Sequence, residues 1–182
     1  MLLGKLIYNS AEEINLRLRT LSLIRWVAVL GQFGSVVIAY FYFEIVFNIY
    51  QVFFLISLSA VLNIIISVRY PLTKLLNSDE TFFYLVFDLI QLALLLFLTG
   101  GLTNPFCVLI IAPIIISATY LDLKRTIIIG TISIISLTGL AFYYYPIESQ
   151  TLGFSKNDFS QFEIFSIWSA LVITLIFIAV YC

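Results

Sequence analysis

Long apolar runs alternate with short polar breaks along the whole chain. Leu21 to Phe43, Ile45 to Val68, Phe82 to Leu98, Pro105 to Leu121, Thr126 to Tyr144 and Ile164 to Cys182 are apolar almost throughout. Each run holds about 17 to 24 residues, enough as a helix to cross a hydrocarbon core of about 30 Å. No shorter alternation of apolar and polar positions competes with this pattern, so the expectation is an all-α membrane protein, a six-transmembrane helix bundle occupying residues 21–182. Ahead of it, Ser10-Ala11-Glu12-Glu13 has the form of a capping box. It opens a segment mixing apolar and basic residues, expected to lie along the membrane surface as an interfacial helix within residues 1–20.

Composition strengthens the membrane reading. The sequence is 62% hydrophobic and 10% charged, with a mean hydropathy of +1.11, far from the charge content of a soluble domain. The formal net charge of −1 offers no basic surface for nucleic acid. Histidine is absent, which removes histidine-ligated haem, most catalytic zinc sites and any phospho-accepting histidine. Cys107 and Cys182 form no metal-ligand pattern. No metal site and no catalytic residue are expected. The first residues lack a cleavable signal pattern, so the first apolar run reads as a retained anchor.

Lysine and arginine set the expected orientation. Lys5, Arg17, Arg19, Arg25, Arg69, Lys74, Lys124 and Arg125 fall on one side of the six-span arrangement, and Lys156 alone on the other. The positive-inside bias then puts both termini in the cytoplasm and the break between spans three and four outside.

Polar residues inside the runs are few. Arg25 and Asp88 stand about 6 and 9 Å from the cytoplasmic ends of spans one and three, and Gln32 and Gln91 about 16 and 14 Å. Matched depths predict an Arg25–Asp88 pair and a Gln32–Gln91 layer, with Asn63 of span two joining the lower layer. The alternative is an Arg25 that snorkels to headgroups and a protonated Asp88. All five residues are expected to serve packing or coupling between helices. Pro113 lies within span four, where it cannot donate to Leu109 and is expected to kink the helix as a hinge, with Ser117 and Thr119 satisfying nearby carbonyls.

Most of the chemistry lies in the break Gly100-Gly101-Leu102-Thr103-Asn104-Pro105-Phe106. Two readings are open. As a turn, a glycine takes the left-handed conformation that closes a helix, and Asn104 caps a helix begun by Pro105. As a site, the glycines admit a flat ligand to the backbone, Asn104 donates to a carbonyl, and Phe106 supplies an aromatic plane.

This segment resembles the GGxxNPF heptapeptide of the RegB/PrrB family of redox-responsive sensor histidine kinases. The likeness continues through Leu23-Ile24-Arg25-Trp26-Val27-Ala28-Val29-Leu30-Gly31-Gln32, Phe87-Asp88-Leu89-Ile90-Gln91-Leu92, Leu98-Thr99-Gly100-Gly101, Ala112-Pro113 and Ile116-Ser117-Ala118-Thr119. The resemblance implies a redox-sensing membrane region with ubiquinone or a related quinone as bound signal, held by Gly100, Gly101, Asn104, Pro105 and Phe106. It also implies membrane lipid as surroundings, a homodimer, a cognate response regulator as partner, and the bacterial inner membrane as location. The family's kinase region would follow span six, where this sequence stops. The expectation is therefore a sensor region without catalytic activity of its own, resembling part of a histidine kinase. A small six-span transporter using Arg25, Asp88 and the Gly100–Pro105 break is the competing class, though no internal repeat relates the halves.

Overall fold

The computed structural model describes residues 16–71, 73–149 and 161–181. The capping box at Ser10–Glu13, Lys5, Lys156 and Cys182 lie outside these residues, and with them the start of the expected interfacial helix; of its described end, Arg17 is extended and bridges to Leu75, and residues 18–20 already belong to the first spanning helix.

Among the described residues six α-helices in chain order match the six apolar runs, consistent with the expected fold class: α1 (Leu18–Phe41), α2 (Ile49–Arg69), α3 (Ser78–Leu98), α4 (Ile111–Tyr120), α5 (Leu123–Phe142) and α6 (Gln161–Tyr181). Helices α1, α2, α3 and α5 are each long and apolar enough to cross a membrane. The Pro105–Tyr120 stretch and the Glu163–Ile178 part of α6 are shorter apolar helices. Leucine, valine, isoleucine and aromatic side chains such as Val27, Phe54, Val68 and Ile135 stand exposed around the helices. A soluble protein rarely carries so much contiguous apolar surface, whereas lipid favours it.

Boundaries differ from the apolar runs where polar residues act as caps. Helix α3 begins four residues before Phe82 because Glu80 accepts from the Asn77 backbone N–H at 3.1 Å, a reciprocal cap that holds a polar first turn in the helix. Helix α2 begins at Ile49 rather than Ile45. Asn48 caps it by accepting from the Gln51 backbone N–H at 3.4 Å, and Ile45–Val46 form strand β1 instead. That strand pairs antiparallel with β2 (Glu148–Ser149), Ile45 opposite Ser149 and Val46 opposite Glu148.

Span four divides in two. Residues Pro105–Ile110 wind as a 3-10 helix, and the α-helix starts only at Ile111. Six residues is long for 3-10 winding, and Pro113 supplies a reason. In an unbroken α-helix its ring would meet the Leu109 carbonyl with no N–H to offer it. Here the Ile111 N–H reaches the Leu109 and Val108 carbonyls instead. Pro113 thus stands in the first turn of α4, where a missing N–H is tolerated, rather than at an interior kink. Ser117 donates to the Ile114 carbonyl at 2.9 Å and Thr119 to Ile115 at 3.0 Å.

Helix α1 packs on α2 and α2 on α3, while α3, α4, α5 and α6 close around one another. The main core draws Leu85, Leu89, Leu92 and Leu96 of α3 against Ile114, Ile129, Leu137, Leu171 and Leu175. Val29, Val36, Val52, Ile56 and Leu95 join the first three helices. Each such side chain, buried from lipid, gains packing rather than hydrophobic transfer energy.

One end of the bundle is basic. Leu18 N–H donates to the Lys74 carbonyl and Leu76 N–H to Leu16, both at 3.0 Å, so the chain entering α1 pairs with the α2–α3 loop. Lys74 pairs with Glu80 at 2.5 Å, and Arg125 pairs with both Asp122 and Asp79. The hydrogen bond to Glu80 pushes the Lys74 ammonium above its ordinary value. Burial would raise the Asp122 carboxyl, but the hydrogen bond and charge of Arg125 outweigh it and hold the group below the usual carboxylate range.

Candidate functional site

The Gly100–Phe106 segment folds as a closed turn at the other end. Gly100 follows the α3 C-cap Thr99 with φ 104°, and Gly101 has φ 61°; both are left-handed, where only glycine sits without strain. Gly101–Thr103 make one 3-10 turn, and Asn104 caps the next.

Asn104 is committed within the turn. Its Oδ1 accepts from the Phe106 backbone N–H at 2.9 Å. Its Nδ2 donates to the Thr99 carbonyl at 3.0 Å and to Thr99 Oγ1 at 2.8 Å. Thr99 Oγ1 in turn donates to the Leu95 carbonyl at 2.8 Å. An amide nitrogen has two hydrogens, and both are engaged, so the side chain locks the start of span four onto the end of α3.

The glycines do not present an open backbone face. Both are buried. A Cβ on Gly101 would fall 2.7 Å from Tyr144 Cβ and 3.0 Å from the Leu140 carbonyl oxygen, and one on Gly100 would fall 3.3 Å from the Ile147 side chain. The approach that glycine permits is used by the chain itself, at the end of α5. Pro105 and Phe106 are exposed, Phe106 to 45%, and Leu102 and Cys107 are buried beneath them.

Residues Tyr143–Ile147, running from α5 to β2, form a strap over this end. Tyr145 N–H donates to the Phe97 carbonyl at 2.8 Å, and the two rings meet edge to face at 5.5 Å. Beside the strap, between α2 and α3, opens a cavity of about 530 Å³ with Tyr50, Gln51, Phe54, Leu94, Phe97 and Tyr145 in its wall. A smaller one of about 300 Å³ shares Gln51 and Tyr145 and reaches Asn48. Neither is lined by Gly100–Phe106. The sequence pattern singles out Thr99 but not Tyr144, Tyr145 or Gln51; the aromatic run Phe142-Tyr143-Tyr144-Tyr145 ahead of Pro146 was the available signal.

Two polar layers cross the bundle toward the basic end. Arg25 Nε donates to both Asp88 carboxylate oxygens at 2.9 and 3.0 Å, and Nη2 lies 2.8 Å from Oδ1. Nη2 also donates to the Tyr84 carbonyl at 3.3 Å, and the guanidinium lies 5.1 Å from the Tyr84 ring centroid and 5.6 Å from that of Phe87. Arg25 is 4% exposed. It does not snorkel to the surface. Gln91 Nε2 donates to Gln32 Oε1 at 3.2 Å, the second layer. Asn63 belongs to the lower level by a different contact, donating to the Ser22 carbonyl at 3.1 Å, while Ser22 and Ser67 hydroxyls meet at 3.2 Å. The site therefore divides: Arg25, Gln32, Asn63, Asp88 and Gln91 tie α1, α2 and α3 together, and Gly100–Phe106 shape the opposite end. Twelve residues of α3 separate Asp88 from Gly100, about 18 Å.

These features define a multi-pass helical membrane domain with charge pairing between helices and a rigid turn at one end. The chain belongs to a known family of that class: residues 16–167 match the PilS-like transmembrane domain. It is similar to the sensor histidine kinase RegB of Cereibacter sphaeroides, 40% identical over 165 residues, which cover 91% of this chain and 35% of that protein. RegB of Cereibacter sphaeroides strain ATCC 17023 matches at 40% over 77 residues, 42% of this chain and 17% of the relative. The chain thus spans about a third of the first relative's length. No solved structure matches it. The similarity extends over most of the chain.

Proposed function

We propose that this chain is the membrane sensing region of a redox-responsive sensor histidine kinase, binding ubiquinone or a related quinone at the outer end of the bundle around the loop between α3 and α4. The carrying observation is the 40% identity to RegB over 165 residues in a chain that bears Gly-Gly-Leu-Thr-Asn-Pro-Phe as a rigid turn. The basic end, with Arg17, Arg19, Arg69, Lys74, Lys124 and Arg125, faces the cytoplasm of a bacterium, and the turn faces outward. Quinone enters from the lipid, its tail remaining in the bilayer. Exposed Phe106 and Pro105 offer apolar planes to it. Asn104 and the glycines hold the loop in shape. Binding is read out through α4, α5 and α6, which pack on the turn, into a kinase region acting as a homodimer on a cognate response regulator.

The test joins this region to its kinase region in proteoliposomes. Autophosphorylation is measured with oxidised quinone, reduced quinone and none. A quinone-dependent rate that Phe106→Ala or Gly101→Val alters supports the reading. A rate indifferent to quinone at saturating concentration rejects it.

A further inference from the structure

Charges at the basic end of the bundle are matched unevenly. Lys74 takes Glu80, and Arg125 takes Asp79 and Asp122. Among the described residues this leaves Arg17, Arg19, Arg69 and Lys124 exposed with no carboxylate partner. Arg69 is in the last turn of α2, where the negative end of the helix favours a cation. The two arginines at the start of α1 have no such reason. A helix N-terminus is the positive end, where a cation costs stability and a carboxylate adds it. Helix α3 follows that rule with Asp79 and Glu80 in its first turn, whereas α1 has no acid there, no side-chain cap, Arg17 as its N-cap and Arg19 just inside. Nor is this a loose end. Arg17 bridges antiparallel to Leu75, with Leu18 N–H on the Lys74 carbonyl and Leu76 N–H on the Leu16 carbonyl.

An apolar lane runs into the bilayer from these arginines. Arg19, Leu23, Trp26 and Leu30 recur at helical spacing and so share one face of α1. Leu23 and Leu30 are 56% and 65% exposed, and Trp26 is half-buried between them. From Arg19 to Leu30 the lane is about 16 Å long, the scale of a lipid acyl chain. We propose that Arg17 and Arg19 form a headgroup site for an anionic phospholipid in the leaflet at this end. The guanidiniums hold the phosphate, whose oxygens match their paired N–H donors, and an acyl chain lies along Leu23, Trp26 and Leu30. A zwitterionic headgroup carries its own cation beside the phosphate, so the site prefers a lipid of net negative charge. That lipid supplies the countercharge which α1 lacks.

The experiment uses the 182-residue chain with Trp168→Phe, which leaves Trp26 as its one tryptophan, reconstituted in nanodiscs at low salt. Quenching of Trp26 is compared between phosphatidylglycerol and phosphatidylcholine brominated on the acyl chain. Attraction of a basic residue to anionic lipid is worth about fivefold in binding, so phosphatidylglycerol should be preferred about fivefold or more. Arg17→Gln with Arg19→Gln should bring the ratio to about one, while Arg19→Lys keeps most of it. Lys124→Gln, which removes an unpaired cation from another helix at the same end, should leave it unchanged. Melting temperatures establish that the variants are folded; if the double variant is not, Arg19→Gln alone carries the comparison. Equal quenching by the two lipids in the parent overturns the site, as does a preference that survives in the folded arginine variant. Equal loss on Lys124→Gln assigns the preference to the diffuse field of the basic end and also overturns it. Inorganic phosphate, against sodium chloride of the same ionic strength, should leave the ratio unaltered; its abolition by phosphate would mean a site for a free anion, not for a lipid.

Discussion

Arg25 and Asp88, 63 residues apart in sequence, close on each other with three nitrogen–oxygen contacts of 2.8 to 3.0 Å. The guanidinium fork reaches a carboxylate one helix away and spends a further N–H on the Tyr84 carbonyl. In a setting without water, such a pair persists because each charge is the other's main solvent.

Removing one partner strands the other. Asp88→Asn should lower stability by about 3–5 kcal/mol, the usual cost of leaving a buried charge unpaired. Asp88→Asn with Arg25→Gln should lower it less than Asp88→Asn alone. Unfolding by a denaturing detergent gives both values. A double variant less stable than the single one would mean that the pair does not act as a unit.

Gly101→Ala meets two obstacles. The left-handed backbone costs about 1–2 kcal/mol for a side chain, and the new Cβ lies 2.7 Å from Tyr144 Cβ. Shortening the neighbour by Tyr144→Gly relieves the second obstacle only. The melting temperature of Gly101→Ala should therefore rise in part, not fully, when Tyr144→Gly is added, relative to Tyr144→Gly alone.

Asn104→Ala loses a cap and two donated hydrogen bonds, and stability should fall by about 1–2 kcal/mol. Asn104→Asp keeps the acceptor for the Phe106 N–H but not the donors to Thr99. Its melting temperature at neutral pH should lie at or below that of Asn104→Ala, because a carboxylate would face the Thr99 carbonyl. A melting temperature equal to the parent's would show that the links to Thr99 carry no stability.

Stability against pH follows the two groups outside the helices. Asp122, held below its ordinary 3.8 chiefly against burial by Arg125, contributes stability present above the unfolded value and lost as pH falls through the lower folded one. Lys74, raised above 10.5 by Glu80, contributes stability present below 10.5 and lost as pH rises through its folded value. Both contributions are therefore complete across neutral pH. Asp122→Asn should lower the melting temperature at pH 7, and the difference from the parent should close once pH has fallen through the folded value that lies below 3.8. A difference that persists there would assign the effect to something other than the charge.

Orientation is read by cysteine labelling in a background of Cys107→Ala and Cys182→Ala. Phe106→Cys, at an exposed position of the turn, should react with an impermeant maleimide from outside the cell. Thr73→Cys, exposed in the α2–α3 loop, should react only after permeabilisation. The reverse pattern would invert the bundle.

Much of this architecture is set by one-dimensional properties. Crossing a bilayer needs a long run of apolar residues, so six runs announced six helices, and the loop glycines and Asn104-Pro105 announced the turn. Depth along a helix is counted at about 1.5 Å per residue, so Arg25 and Asp88, like Gln32 and Gln91, could be matched before any fold was known. What depth does not carry is azimuth, nor which helix lies beside which. Asn63 matched the lower layer in depth, yet its rotation on α2 turns it to the Ser22 carbonyl rather than to the ion pair. The 3-10 winding ahead of Pro113 balances the ring against the Leu109 carbonyl under the packing of α3 and α5 on both sides, a competition no local rule decides. Tyr144 on Gly101, Tyr145 on Phe97 and the β1–β2 pairing join residues from segments far apart in the chain. The cavity beside them is walled by residues of α2, α3 and the Tyr145 strap, so only the tertiary structure, which fixes the distances between these segments, brings it into being.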